Sequence, residues 1–507
     1  MPSRTETAQP PRRVPPFART VVLSLAAAYG LVLLATSAHY DYKGDELYFL
    51  VAGRHLSWGY ADQPPLLPLL ARLMEEAAPG NLMVLRSPVT VLMPLTAVVT
   101  ALISREFGGG PRAQALACAT FLISPHVLVI SHSLTKRPIE VFLCAVMLWL
   151  LIRWVRIRDD RLWPAMGAVT ALALQNNYLD ASFWAVTAVT MTVQGIRNIW
   201  RRPQVWAAVA IVAVSLVPSL TWQARNGWPQ IAMGAVIGDE VAAEGGRLLF
   251  LPLLLLSAGI VGSVLLCSGL WWLLRDPGLR SFRFLGWTVI VLAVLIFAAN
   301  GKRDYLAALA FPVCWAAAAV QVERGTTAPW WRWLRSWPAM LLSLTVCLRA
   351  VLPLDITWLG GADRHFLPLE DPDWRGLSAY VAAVHHQLPP AERQDTVVIA
   401  GDYWRSSALE RFRSEYGLPP VYGDMRGYWY FATPPAGTRT VLYVGTAPDA
   451  LRRHCDRFQQ RTPFKDATDG EGPMAENAVP VSVCSGLAVS LPELWPDLHH
   501  LDLRSVP

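Results

Sequence analysis

The sequence predicts a polytopic α-helical membrane protein of about eleven spans, followed by a C-terminal α/β domain outside the membrane. Three observations carry that expectation. Of the 507 residues, 53% are hydrophobic and only 16% charged, where a soluble domain has roughly a quarter charged, and the mean hydropathy is +0.32. Apolar runs of membrane-spanning length recur to about residue 353 and then stop. The residues beyond regain charge, glycine and proline, which marks a boundary between a membrane domain at 20–353 and a soluble domain at 354–507. The net charge of +6 calls for no nucleic acid, because the bases sit between apolar runs where the membrane surface accounts for them.

Residues 1–19 open with MPSRTETAQPPRRVPP, a basic proline-rich stretch with no signal-peptide cleavage pattern. It is expected to be a cytoplasmic tail ahead of a retained first span. Spans are expected near 20–38, 83–104, 113–131, 138–155, 162–178, 181–196, 204–222, 248–274, 283–299, 305–322 and 338–353. The fifth and sixth are short and call for tilt or a break. With the N-terminus inside, the inner loops collect Arg105 and Arg112, Arg153 to Arg161, Arg197 to Arg202, Arg275 to Arg283, and Arg324 to Arg335. The outer loops hold Asp41, Asp45, Glu46, Asp62, Glu75, Glu76, Asp180, Asp239, Glu240 and Glu244. An odd number of spans then places 354–507 outside, in a multi-pass protein of the plasma membrane. Cys118, Cys144, Cys267, Cys314 and Cys347 fall within spans as small hydrophobes. Cys455 and Cys484 lie in the outer domain, where a disulfide and two free thiols both remain open.

The first outer loop concentrates carboxylates. After Lys43-Gly44 come Asp45 and Glu46, and then a helix is expected over about 46–56, lying in the membrane interface. Asp45 suits its N-cap, and Asp62 suits the cap of a second helix restarting at Pro64-Pro65. Capping explains neither Glu46 beside Asp45 nor the placing of three acids at one membrane face, where ionisable groups are costly unless they line water, a partner or a substrate. The next outer loop, SHSLTKRPIEVFL, supplies Lys136, Arg137 and Glu140. Snorkelling to lipid phosphates is the structural alternative for the two bases, and an Arg137 ion pair is that for Glu140. A third turn, NGKRDYLAALAFP, adds Lys302, Arg303, Asp304 and Tyr305. Acids from one loop and bases from two others suit a site that binds an anionic headgroup and activates a hydroxyl.

The stretch DELYFLVAGRHLSWGYADQPPLLPLLARL resembles the first outer loop of glycosyltransferase family 39. These are type C, polyprenyl-phosphate-sugar-dependent enzymes related to the protein mannosyltransferases and to the aminoarabinose transferase of lipid A. PSLTWQARNGWPQ at 218–230, GKRDYLAALAFPVCWAAAAVQVE at 301–323 and YGLPPVYGDMRGYWYFATPP at 416–435 resemble further stretches of the group, in the expected order. The resemblance implies many spans, an outward-facing active site and a lipid-phosphate-linked sugar as donor. It implies that Asp45 is the base that deprotonates the acceptor and that Asp62, with Glu46 nearby, helps shape the catalytic site. Glu140 falls where these enzymes commonly carry an Asp. The chain departs from the lipid A branch at Gln63, where that branch has a Lys, and at Asn177, where relatives often have one as well. Lys136, Arg137, Lys302 or Arg303, with Tyr305, are then expected to hold the donor phosphate.

The chemistry agrees with the residue types. A polyprenyl phosphate departs readily if cationic hydrogen-bond donors receive it. The acceptor hydroxyl needs one aligned base, a role a carboxylate fills with a gain on the order of 100- to 10,000-fold. One base and a phosphate clamp imply direct displacement with inversion. No residue spacing makes a metal site, although a divalent cation near Asp62 stays open. The sugar (mannose, another hexose or a pentose) and the acceptor (lipid, protein or an exported small molecule) are not written in these motifs.

In the C-terminal domain, DTVVIAGDY, TRTVLYVGT and VPVSVCSGLAVSL read as strands, and WRGLSAYVAAVHHQL, SSALERFRSEYG and DALRRHCDRFQQR as helices. The aromatic GYWYF at 427–431 suits core packing better than sugar stacking. His385-His386 and His499-His500 read as surface pairs rather than metal ligands, and Gly401 and Gly445 end strands without a phosphate-loop pattern. The competing function is a transporter or flippase for a lipid-linked sugar. Transporters gather polar groups near the midplane and often repeat a half; here the charges favour one face and no repeat is evident.

Overall fold

The structure, a computed structural model, describes residues 14–39, 41–243, 246–299, 304–325, 337–351, 372–465 and 478–502. Lys302 and Arg303, and most of the N-terminal tail, lie outside the described residues. Helices occupy each stretch where a span is expected: α1 (Arg19–Thr36), α4 (Leu82–Glu106), α5 (Pro111–Leu122) with α6 (Pro125–Ile130), α7 (Lys136–Ile157), α8 (Leu162–Leu174), α9 (Asp180–Val193), α10 (Pro203–Arg225), α12 (Phe250–Arg275), α13 (Arg283–Ala299), α14 (Asp304–Arg324) and α15 (Trp337–Val351). Between them lie α2 (Gly44–Arg54), α3 (Leu66–Ala77) and α11 (Pro229–Ala243). Seven helical segments among the described residues are long and apolar enough to cross a membrane unaided. The expected third span is broken, because Ser124 is extended and Pro125, lacking an N–H, starts a new helix instead of continuing the old one. Gly259, with φ +77, interrupts α12 in a similar way.

The bundle is packed around α14, which is buried along most of its length. A Cβ on Gly269 of α12 would lie 1.9 Å from the carbonyl oxygen of Cys314, so only glycine lets these two helices approach. Trp315 fills the adjoining space and donates its indole N–H to Gly262 at 2.8 Å. The arginine-rich loops gather at one end of the bundle. There Arg153 and Arg156 hold Glu106 at 3.2 and 2.5 Å, Arg202 holds Asp160 at 2.5 Å, and Arg324 lies 3.4 Å from Asp276. Glu323 caps α5 by accepting from the backbone of Gly110 at 2.5 Å and Arg112 at 3.1 Å.

The C-terminal domain sits at the opposite end. Its elements are α16 (Trp374–His386), α17 (Pro390–Gln394), β1 (Thr396–Ala400), α18 (Tyr403–Tyr416), β2 (Val421–Gly423), β3 (Thr440–Val444), α19 (Asp449–Arg452), β4 (Cys455–Gln460), β5 (Val481–Leu487) and α20 (Leu491–Leu498). The five-stranded sheet runs β2-β1-β3-β5-β4, parallel across its first three strands and antiparallel across the rest. Strand alternation splits the apolar side chains. Val398 and Ala400 pack with Leu377, Val381 and Leu409, whereas Val397 and Ile399 pack with Leu491, Leu494 and Trp495. The expected helix DALRRHCDRFQQR is mostly strand. It is helical only over Asp449–Arg452, and from Cys455 it pairs with β5, to which the Cys455–Cys484 disulfide ties it with a Cα–Cα distance of 5.4 Å. His500 is buried against Asp424 rather than at the surface.

The two parts share one apolar core, to which Trp374, Tyr403, Phe412, Met425 and Tyr428 of the C-terminal domain belong. Their contact is close enough to require glycine on both sides. A Cβ on Gly44 would meet Trp404 Cδ1 at 2.5 Å, and one on Gly427 would meet the Tyr48 hydroxyl at 2.1 Å.

Candidate active site

The adjacent acids of the first loop have different fates. Lys43, not Asp45, is the N-cap of α2, and Glu46 is the third helical residue, whose carboxylate accepts from the Lys43 backbone N–H at 3.0 Å. Both Glu46 oxygens also receive Arg86 of α4, from Nε at 2.9 Å and Nη2 at 2.7 Å, and one accepts the Leu134 backbone N–H at 2.8 Å. Arg86 in turn donates to the carbonyls of Ser37 at 2.5 Å and Asp41 at 2.7 Å. Glu46 is 0% and Arg86 1% exposed, so this is a buried, bidentate staple joining α2, α4 and the end of α1. A carboxylate so fully engaged has no lone pair directed at a substrate.

Asp45 does not cap. Its Oδ1 accepts the Trp404 indole N–H at 2.7 Å and the Tyr403 hydroxyl at 3.3 Å, both from the first turn of α18. Among the described residues no Lys, Arg or His pairs with it, and Oδ2 accepts no hydrogen bond. Asp62 does not cap either: α3 begins after Pro65 without a side-chain cap. Its Oδ1 accepts from the Tyr48 hydroxyl at 2.9 Å. Burial pushes the Asp62 carboxyl above the usual range, although Arg426, the Tyr48 hydroxyl and Lys136 pull it down. Tyr48 itself is driven well above the ordinary phenol value by burial and by the Asp62 charge, so it remains a donor.

Arg426 closes this mouth from the C-terminal domain. It is 7% exposed, adopts φ +47, pairs with Glu240 of α11, and donates from Nε to the Leu501 carbonyl at 2.9 Å. Its guanidinium lies 5.1 Å from the Tyr403 ring centroid, and its charge is felt by Asp62 and Asp45. A non-glycine residue in the left-handed region is strained, and such strain concentrates where a side chain must be aimed. Phe431 stacks on His55 at 4.9 Å and lies 6.1 Å from Tyr48, and Tyr430 lies 5.7 Å from Trp222. Of the GYWYF aromatics, Phe431 therefore packs against the first loop, Tyr430 against α10, and Trp429 against Trp495 and His499 of its own domain. Beside them Trp58, Pro218, Thr221, Trp222 and Arg225 line an open groove of about 290 Å³.

Of the expected phosphate-binding residues, Lys136 and Arg137 begin α7 near the mouth. Lys136 is half-buried and acts electrostatically on Asp62 and Glu140. Arg137 is already engaged: it donates to Glu140 at 3.1 Å, lies 3.7 Å from Asp304, and stacks 4.2 Å over Tyr305. Glu140 is buried in that pair. Gln63 is 4% exposed and its Nε2 is without a partner among the described residues. Among those residues no three His, Cys, Asp or Glu side chains gather into a metal site.

Tyr403, Trp404 and Arg426 escape the sequence reading because they are remote from the first loop in the chain. A signal was nonetheless available. Tyr403 and Trp404 follow β1 and Arg426 follows β2, at the carboxyl ends of parallel strands, where open α/β sheets place their functional groups.

The model of the family described as dolichyl-phosphate-mannose-protein mannosyltransferase matches residues 62–222, a segment that contains Asp62, Lys136 and Glu140 but not Asp45. Lipid A galacturonosyltransferase RgtD of Rhizobium johnstonii is 24% identical over 326 residues, covering 60% of this chain and 64% of the relative. Structures of ArnT from Cupriavidus metallidurans, one bound to undecaprenyl phosphate and one in the apo state, match with TM-scores of 0.59 and 0.60 at 16% identity. Each match covers 92% of this chain and 98% of that one. The chain has the type C glycosyltransferase fold. Within the type C fold the first-loop acids lie at the end of the bundle that the C-terminal domain covers, and the arginine-rich loops lie at the other. The chain is a multi-pass membrane protein.

Proposed function

We propose that this chain is an inverting glycosyltransferase that moves a sugar from a polyprenyl-phosphate donor to an acceptor hydroxyl, with Asp45 as general base. The observation that carries the reading is the state of Asp45: one oxygen fixed by two donors and, among the described residues, the other open and no cation paired with it. That is how a carboxylate must be held to take a proton from a bound hydroxyl as it attacks. Asp62, enclosed with Tyr48 and facing Arg426, shapes the floor of the same mouth. Lys136 supplies positive charge beside it for a departing phosphate. Direct displacement opposite the leaving phosphate inverts the anomeric carbon, with no second acid needed to protonate it.

The arginine-rich end belongs in the cytoplasm by the positive-inside rule, which puts the mouth and the C-terminal domain outside. The groove of Trp58, Trp222 and Arg225 offers an amphiphilic acceptor two indole faces and a cation at that level. The relatives are named for different sugars, mannose and galacturonic acid, so both donors belong in the test. Purified protein given labelled polyprenyl-phosphate mannose or galacturonic acid, with an envelope extract as acceptor source, should pass label to an acceptor, and Asp45→Asn should abolish the transfer. Equal transfer by the variant would remove Asp45 as base.

A further inference from the structure

The C-terminal domain is joined to the first loop at the carboxylate itself. Asp402 caps α18 by accepting the Arg405 backbone N–H at 2.8 Å, and its side chain also meets Arg405 at 3.0 Å. Tyr403 and Trp404 are thereby the first two residues of a well-anchored 14-residue helix. Trp404 Nε1 reaches Asp45 at 2.7 Å, the length of a charge-assisted bond, and the Tyr403 hydroxyl reaches the same oxygen at 3.3 Å. Gly44, one residue before Asp45, has no room for a side chain against the Trp404 ring. Burial and the neighbouring Asp45 charge hold the Tyr403 phenol well above its usual value, so it stays a donor at any physiological pH. Three independent features, a helix cap, an indole bond and a glycine contact, thus fix one carboxylate from a domain more than 300 residues away in the chain.

We infer that the C-terminal domain completes the active site, and that Trp404, assisted by Tyr403, is the positioning residue for the Asp45 carboxylate. This rests on the assignment of Asp45 as base. Trp404 fixes Oδ1 and leaves Oδ2 as the atom that receives the acceptor proton.

Two measurements on the full-length protein in detergent test this. With 15N-labelled tryptophan, the indole resonance missing from Trp404→Phe should shift in Asp45→Asn, where an amide replaces the carboxylate that accepts the indole N–H. In the transfer assay Trp404→Phe should lose roughly ten- to a hundredfold in kcat with KM little changed. Tyr403→Phe, which removes the longer of the two bonds, should lose less. Adding Trp404→Phe to Asp45→Asn should cost nothing further. An indole resonance unmoved by Asp45→Asn, or a Trp404→Phe kcat equal to that of the parent, would overturn the inference. Full activity in Asp45→Asn with the indole resonance shifted would show that the contact is real but that the base lies elsewhere.

Discussion

At the arginine-rich end of the bundle the acids pair with bases or cap a helix: Glu106 with two arginines, Asp160 with Arg202, Asp276 with Arg324, while Glu323 caps α5. At the mouth the pattern divides. Glu46 and Glu140 are paired as at the far end, but among the described residues Asp45 accepts from Trp404 and Tyr403, and Asp62 from Tyr48 and its own backbone N–H, with no Lys, Arg or His of those residues paired to either. The comparison teaches that acidity alone does not mark a site. A carboxylate locked to a guanidinium is a staple, since its lone pairs are spent. A carboxylate held by neutral donors, as Asp45 is, keeps an oxygen open, an arrangement that fold stability alone does not demand.

The comparison can be broken most directly by exchanging roles. Asp45→Asn should lower transfer on the order of 100- to 10,000-fold while leaving the melting temperature nearly unchanged. Arg86→Met should do the reverse, costing about 3–5 kcal/mol of stability by leaving Glu46 buried and unpaired, with chemical denaturation as the measurement. If Arg86→Met left stability intact and abolished only turnover, the division between staple and site would fail. Asp62 sharpens the comparison through pH. Its carboxyl is raised in the folded state, so the native protein binds more protons than the unfolded chain in the window above the ordinary value near 3.8. Its contribution therefore favours folding at low pH and is lost as pH rises through the raised value. Thermal melts across that window should show Asp62→Asn flattening the dependence and gaining stability at neutral pH. The smallest effect belongs to the partly exposed Arg54–Glu410 contact at 3.9 Å between α2 and α18. Arg54→Ala should change stability by less than about 1 kcal/mol.

Much of the fold is legible because the membrane imposes it. Spans must be apolar and helical, so their positions follow from hydropathy, and the arginine bias sorts the loops into two ends that the structure keeps apart. The breaks are legible only locally, as a proline at 125 and a glycine at 259. Residues 449–461 mislead because the apolar spacing fits a helix while an edge pairing with β5 and a disulfide make Cys455–Gln460 a strand. At the site, Asp45, Glu46 and Asp62 stand out together in the sequence, but their roles do not. Asp45 looks like the cap and Glu46 like an extra acid; in the structure Glu46 reaches back to the cap and Asp45 is left open.

The sequence by itself therefore determined the helical multi-pass fold, its C-terminal α/β part and the loop that carries the acids, because each rests on composition and short-range pattern. Only the tertiary structure decided which acid is locked to a guanidinium and which is held by neutral donors. That choice depends on partners 40 residues from Glu46 in Arg86 and 359 residues from Asp45 in Trp404, and local spacing carries no record of contacts made at such separations.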